Sequence, residues 1–211
     1  MSVDRLLRGE EDRPGELRSR LITIALAGFF FGAVMGTYGG IGPERWRQIF
    51  YSAVKVPLLL AATFCLSVPS FFVLNTLLGL RGDFRRALAA LAGAQAVLTV
   101  ILASLAPLTV LWYVSGFSYS GAILFNAALF AVASAGGQLA LRRSYRALAA
   151  RHPAHRWTRT AWLVIYAFVG IQMGWVMRPF LGDPGLPTTF LRSEAMSNAY
   201  VVVAQMIREK L

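Results

Sequence analysis

The feature that most constrains this chain is an uncharged stretch from Val56 to Leu80, built mainly from Leu, Val, Phe and Ala. As a helix it is long enough to cross a hydrocarbon layer of ~30 Å, which takes ~20 residues. Similar apolar blocks recur along the chain, of which 56% is hydrophobic and only 15% charged. Blocks of this length predict membrane-spanning helices and not the core of a soluble domain.

The blocks predict an all-α polytopic membrane protein with five transmembrane helices in one domain, residues 21–180. The predicted spans are residues 21–38, 53–80, 87–114, 121–141 and 160–177. The third is long for a single crossing, and either a tilt or a break at Pro107 accommodates the extra length.

Polar segments flank the predicted transmembrane domain on both sides. Residues 1–20 form a mixed-charge N-terminal arm, which we expect to be solvated or to lie at the membrane interface. Residues 181–211 include an amphipathic pattern that predicts a C-terminal helix on a membrane surface or on a partner.

The net charge of +11 admits two interpretations, nucleic-acid binding or a membrane-topology signal. No basic run is interleaved with aromatic residues that stack on bases, so we expect no nucleic-acid partner. The N-terminal arm and the loops at residues 81–86 and 142–159 carry twice as many basic residues as the opposite side. This bias predicts a cytoplasmic N-terminus and a C-terminus on the far side, here of a bacterial inner membrane.

The acidic and metal-binding residues predict no catalytic site. All ten carboxylates fall in predicted tails and loops, and the lone Cys65 cannot form a disulfide within the chain. His152 and His155 share one loop, where a surface pair is the favoured interpretation over a metal site. Because no acid lies inside a predicted span, we expect no enzyme, no metal site and no cofactor.

Small residues recur every four positions in three of the predicted spans. This spacing places them on one helical face, where two backbones can approach closely. The partner is another helix of this chain or a second subunit. The residues are Gly28, Gly32 and Gly36 in the first span, Ala127, Ala131 and Ala135 in the fourth, and Gly170 and Gly174 in the fifth.

A few polar side chains lie inside or at the edge of the predicted spans. The amides are expected to hydrogen-bond between helices, at ~0.6–2 kcal/mol each. The two cations are expected to extend to the interface and hold a phospholipid phosphate or an acidic residue of a partner. The amides are Asn75, Gln95, Asn126, Gln138 and Gln172, and the cations are Lys55 and Arg178.

The segment LLGLRGDFRRALAALAGAQ…ASLAPL, from Leu77 through Pro107, resembles the Yip family of five-span membrane proteins, named for interaction with Rab-type GTPases. In that family a short basic loop with Gly leads through an F-R/K-x-x-L pattern into a helix that ends at a Pro. The preceding KVPLLL…SVPSFFVLNTLLG is similar to bacterial members. The resemblance implies a cytosolic N-terminus and a non-catalytic protein that shapes, organises or recruits.

Three functional hypotheses follow. The first is a scaffold or accessory subunit that packs through small-residue faces against partner subunits or copies of itself. The second is a transporter or channel for a neutral or anionic solute, with Lys55, Arg178 and the amides lining the path. The third is a lipid scramblase with a polar groove between helices.

Overall fold

The computed structural model describes residues 16–43, 45–116, 118–183 and 185–191, and these ranges contain helices and no strand. The prediction of an all-α fold is confirmed. A short 3₁₀ turn, Arg81–Asp83, lies directly before the helix that begins at Phe84. The helices are α1 Glu16–Gly36, α2 Trp46–Leu77, α3 Phe84–Ser104, α4 Ala106–Val114, α5 Tyr119–Arg151 and α6 Ala154–Val176.

Four helical stretches are long and apolar enough to cross a membrane: Leu17–Gly36, Trp46–Leu77, Arg81–Val114 and Tyr119–Arg151. Their length and composition make this an integral membrane protein with several crossings. The predicted fifth span corresponds to α6, which is not one of the four. A fifth crossing therefore stays a prediction.

Four helices, α1, α2, α5 and α6, are longer than the predicted spans. The second begins at Trp46 and not at residue 53. The predicted fourth span is α5, which continues to Arg151, so most of the predicted basic loop 142–159 is helical and the connection to α6 is a turn at His152 and Pro153. The reason is local, because Ala, Leu and Arg favour helices and Pro153 is the first helix breaker after residue 141.

The predicted third span is broken near Pro107, which was one of the two predicted ways of accommodating its length. The first part ends at Ser104, and α4 begins at Ala106 with Pro107 in its first turn. Proline lacks an N–H group and disfavours a helical conformation in the residue before it.

The predicted terminal segments lie largely outside the described residues. This holds for residues 1–15 of the N-terminal arm and for residues 192–211 of the C-terminal helix. Within the predicted C-terminal helix, residues 181–183 and 185–191 are irregular. An interfacial helix at either end is thus still a prediction.

The glycine face of α1 packs against α2 of the same chain in an antiparallel pair. A Cβ atom added to Gly32 would lie 2.9 Å from the Ala53 Cα atom, and one on Gly36 would lie 2.6 Å from the Ile49 Cα atom. Gly28 has room for a Cβ, at 3.4 Å from Pro57. The two helices therefore approach so closely that a larger residue at position 32 or 36 would strike backbone.

The other helices assemble around this pair. Helix α1 also contacts α3. Helix α5 packs on α3, and α6 packs on α2. Three apolar clusters result among the described residues: one around Phe31 and Leu102, one around Phe71 and Trp162, and a small one around Ile24 and Val97.

Candidate functional site at the Arg178 end

Polar side chains concentrate at the end of the bundle where α2 and α5 begin and α6 ends, which we call the Arg178 end. Beyond α6 the chain forms an irregular stretch, residues 179–182, which we call the return segment. It crosses the first turns of α2 and meets a row of hydrogen-bond donors there.

The donor row occupies one face of α2, where residues three and four apart point the same way. Gln48, Ser52 and Lys55 lie within the helix, and Arg45 immediately precedes it. The first three side chains are fully buried. The spacing of three and four thus aligns four donors beneath the return segment.

Each carbonyl of the return segment accepts a hydrogen bond from a side chain elsewhere in the chain. Because buried carbonyls need such partners, the bonds fix the segment in place. Lys55 Nζ donates to Pro179 O at 2.6 Å. Phe180 O accepts two hydrogen bonds, one from Gln48 Nε2 at 2.9 Å and one from Ser52 Oγ. Tyr119 Oη donates to Leu181 O at 3.0 Å, and Arg45 Nη2 donates to Gly182 O at 2.8 Å.

Close approach at this point depends on a glycine. A Cβ atom on Gly182 would lie 2.7 Å from the side chain of Gln48, so a larger residue would force the two apart. Arg45 also donates to Tyr38 O at 2.8 Å and joins the return segment to the loop after α1.

Lys55 does not extend out of the bundle toward a phosphate or a partner, as the sequence led us to expect, but is enclosed within the chain. Its side chain is 0% exposed, and Nζ lies 5.0 Å from the centroid of the Phe190 ring and 5.9 Å from that of Phe180. The earlier start of α2 places Lys55 in the third helical turn, under the return segment. The carbonyl of Pro179 and the two ring faces offset the cost of burying its ammonium group.

Arg178 is half-buried and lies between two cavities. Its Cζ atom is 3.4 Å from the centroid of the ring of Trp175, which lies three residues earlier in the chain. A guanidinium stacked on an aromatic face is held in a defined plane. Of the two predicted phosphate-binding cations, this is the one that borders open space.

The first cavity, which we call the apolar groove, has a volume of about 500 Å³. The second, which we call the polar cavity, has a volume of about 660 Å³. They share Tyr119, Arg178 and Pro179. The apolar groove is lined by Met35, Leu59, Ile123, Asn126, Ala127, Phe130, Trp175, Phe180 and Leu181, and the polar cavity by Gln48, Gly182, Asp183, Leu186, Pro187, Thr189 and Leu191.

The alanine face of the fourth predicted span points away from the bundle. Ala127, Ala131 and Ala135 are all exposed, whereas Ala133 and Gly137 on the other face of α5 are buried. In α6, a Cβ atom added to Gly170 would lie 3.4 Å from Thr63 Cγ2 of α2, and one added to Gly174 would have nothing within 4 Å.

Gln95 and Asn126, both among the predicted amides, bond between helices as expected. Gln95 Oε1 accepts a hydrogen bond from Tyr166 Oη at 2.6 Å, and Asn126 Nδ2 donates to Tyr113 Oη at 2.7 Å. Asn75 instead donates to Phe71 O within its own helix, at 2.8 Å. Gln138 and Gln172 are half-buried.

The predicted surface pair of histidines does not exist. His152 is exposed, but His155 is 0% exposed and its Nε2 atom lies 3.3 Å from Asp83 Oδ2. Arg151 and Arg86 approach the other oxygen of the same carboxylate at 3.5 and 3.3 Å. A helical stripe of His155, Thr158 and Trp162 at spacings of three and four was the signal for burial.

In the part of the chain that the structure describes, no three His, Cys, Asp or Glu residues come together as a metal site would require. The arrangement at the Arg178 end consists of hydrogen-bond donors, one stacked guanidinium and two cavities. Such a site can bind and orient a ligand.

No known protein family, curated protein or solved structure matches this chain. The resemblance to the Yip family therefore stays a prediction.

Proposed function

We propose that this chain is a non-catalytic integral membrane protein that acts as a scaffold or accessory subunit of a larger membrane complex. Its proposed setting is a bacterial inner membrane, with a cytoplasmic N-terminus, α6 as the fifth crossing and the C-terminus on the opposite side. The resemblance to the Yip family supports an organising role of this kind.

The observation that carries the proposal is the outward alanine face of α5. The equivalent glycine face of α1 is occupied by α2, whereas Ala127, Ala131 and Ala135 are exposed. In a bilayer, faces of small residues let helices pack closely, which is a main source of helix association there. Beyond the apolar groove, which Ala127 lines, the α5 face at Ala131 and Ala135 is thus suited to a helix of another chain or of a second copy.

The engagement of polar groups within the chain also supports a holding role. Lys55, Gln95 and Asn126 all bond to other parts of the same chain. A solute path lined by Lys55 receives no support, because its side chain is fully buried and is not among the residues that line either described cavity.

The test is Ala131→Leu, which adds bulk on the outward face without touching the bundle. We expect loss of the assembled complex in native mass measurements after mild detergent extraction, with unchanged helical content. Val132→Leu is the matched control, because Val132 is the adjacent exposed residue, 57% accessible and off the alanine face. A wild-type protein that is extracted as a monomer with no bound partner would contradict the proposal.

The apolar groove favours a second candidate, a lipid scramblase. A groove that joins an apolar region to a polar one, with Arg178 between them, is the kind of path a headgroup would follow. Lipid exchange between leaflets of liposomes that contain the purified protein would support it, and no exchange above that of empty liposomes would exclude it.

A further inference from the structure

We infer that the Arg178 end holds one phospholipid, with an acyl chain in the apolar groove, the phosphate at Arg178 and the headgroup in the polar cavity. This inference goes beyond the proposed accessory role and does not rest on it. The argument has three parts: the groove, the cation and the polar cavity.

The apolar groove has the size and lining of a ligand site. Its volume of about 500 Å³ lies within the ~300–1,000 Å³ typical of such sites. Side chains from α1, α2 and α5 form its walls, among them Met35, Leu59 and Phe130. In a membrane-embedded bundle, the ligand that such a lining suits is a hydrocarbon chain.

Arg178 is placed where a phosphate would follow that chain. It lines both cavities, so it marks the boundary between their apolar and polar linings. Stacking on Trp175 orients the guanidinium, and a planar guanidinium binds phosphate oxygens through two parallel hydrogen bonds. Lys55 is not placed to supply this charge, because it is fully buried and lines neither of the two cavities.

The polar cavity suits the headgroup. Its lining includes two polar residues, Asp183 and Thr189. Asp183 Oδ1 accepts a hydrogen bond from Gly185 N at 2.9 Å, which fixes the carboxylate in its loop. A cation and an anion in one cavity complement a phosphate followed by an ammonium group, so phosphatidylethanolamine is the probe of choice.

The experiment titrates delipidated full-length protein in detergent with phosphatidylethanolamine and counts bound lipid by native mass spectrometry. We expect one tightly bound lipid, and affinity weakened on the order of tenfold in Arg178→Gln, because a charge-assisted pair is lost. Arg47→Gln is the matched control, since Arg47 is an exposed arginine at the same end. Equal affinity of wild type and Arg178→Gln would overturn the inference.

A second variant keeps the test valid if Arg178→Gln fails to fold. Ala127→Phe fills the apolar groove from an exposed position and leaves all charges in place, so we expect it to lose the bound lipid. Ala131→Phe, one helical turn away and outside the groove lining, should bind as wild type does. Equal binding by Ala127→Phe and wild type would overturn the inference.

Two further outcomes separate the lipid from other occupants. Diacylglycerol, which has the chains but no phosphate, should bind far more weakly, and equal binding would overturn the role of Arg178. The wild-type protein could instead be purified without lipid but with a bound protein partner. If the Arg178→Gln variant no longer binds that partner, the site belongs to an acidic partner, and the inference is overturned. If Ala131 variants lose assembly but still bind the lipid, the lipid site and the proposed assembly face are separate parts of the protein.

Discussion

The two ends of the bundle are held together by different means. At the Arg178 end, buried donors from α2 bond to the backbone carbonyls of the return segment, and two cavities remain open beside them. At the opposite end, which we call the Asp83 end, charged side chains meet around one carboxylate, above closely packed aromatic rings. The Arg178 end therefore combines buried hydrogen bonds with two cavities, and the Asp83 end combines ion pairs with a packed aromatic cluster.

Aromatic rings pack closely beneath the carboxylate at the Asp83 end. The ring of Trp162 lies 5.2 Å from that of Phe71 and 5.4 Å from that of Phe64, in edge-to-face contacts. Phe84 continues the cluster at 4.9 Å from Phe72. Such pairs add stability beyond the area they bury.

The largest effect is expected at the Asp83 end, from Trp162→Ala. Trp162 is only 3% exposed, so its removal leaves a cavity between α2 and α6 and costs about 3–5 kcal/mol of unfolding free energy. Thermal unfolding in detergent measures the loss. Trp157→Ala is the matched control, because Trp157 is 75% exposed on the same helix and should change little. Similar losses in both variants would remove the distinction between a closed core and an open surface.

The next effect is expected from Gly32→Leu, near the Arg178 end. A side chain there meets the α2 backbone, and the overpacking should cost about 1–3 kcal/mol or more. Gly174→Leu is the control, since a Cβ atom at Gly174 meets nothing within 4 Å. We expect a lower unfolding midpoint for the first variant only. An unchanged midpoint for Gly32→Leu would show that α1 and α2 are not packed this closely.

A smaller effect is expected from Lys55→Met, which keeps the length of the side chain but removes the donor. Pro179 O then loses its partner, at a cost of about 1–3 kcal/mol. Amide hydrogen exchange should rise in and around the return segment and stay unchanged around Trp162. Exchange that rises equally at both ends would mean that the two ends do not open independently.

The smallest effect is expected from Arg86→Gln at the Asp83 end. The ion pair of Arg86 with Asp83 joins side chains that are 63% and 23% exposed, so it should contribute at most about 1 kcal/mol. Salt screens such pairs, and the difference from wild type should shrink at high ionic strength. A larger difference, or one that salt leaves unchanged, would show that the carboxylate cluster is less solvated than its exposure indicates.

Sequence reasoning predicted the features that depend on local pattern. Uninterrupted apolar blocks indicate helices of membrane-spanning length, and the Pro107 break follows from the chemistry of proline. The register of Gly28, Gly32 and Gly36 also follows from spacing alone. Which helix they contact did not, because either α2 or another chain can accept such a face.

Features that depend on distant contacts were missed for a physical reason. The bond from Lys55 to Pro179 joins residues 124 positions apart, and the contact of His155 with Asp83 joins residues 72 positions apart. A charged residue near the end of an apolar block has the same local pattern whether it faces water or a carbonyl. Only the fold distinguishes the two.

The return segment is recognised by its main chain, since its carbonyls are what the α2 donors contact. Every residue type carries that carbonyl, so these hydrogen bonds do not themselves depend on which side chains the segment carries. Composition is constrained separately, because Phe180 and Leu181 pack in the apolar core and Gly182 approaches Gln48 closely. Insertion or deletion of a single residue would instead shift the whole series of carbonyls out of register with the helix.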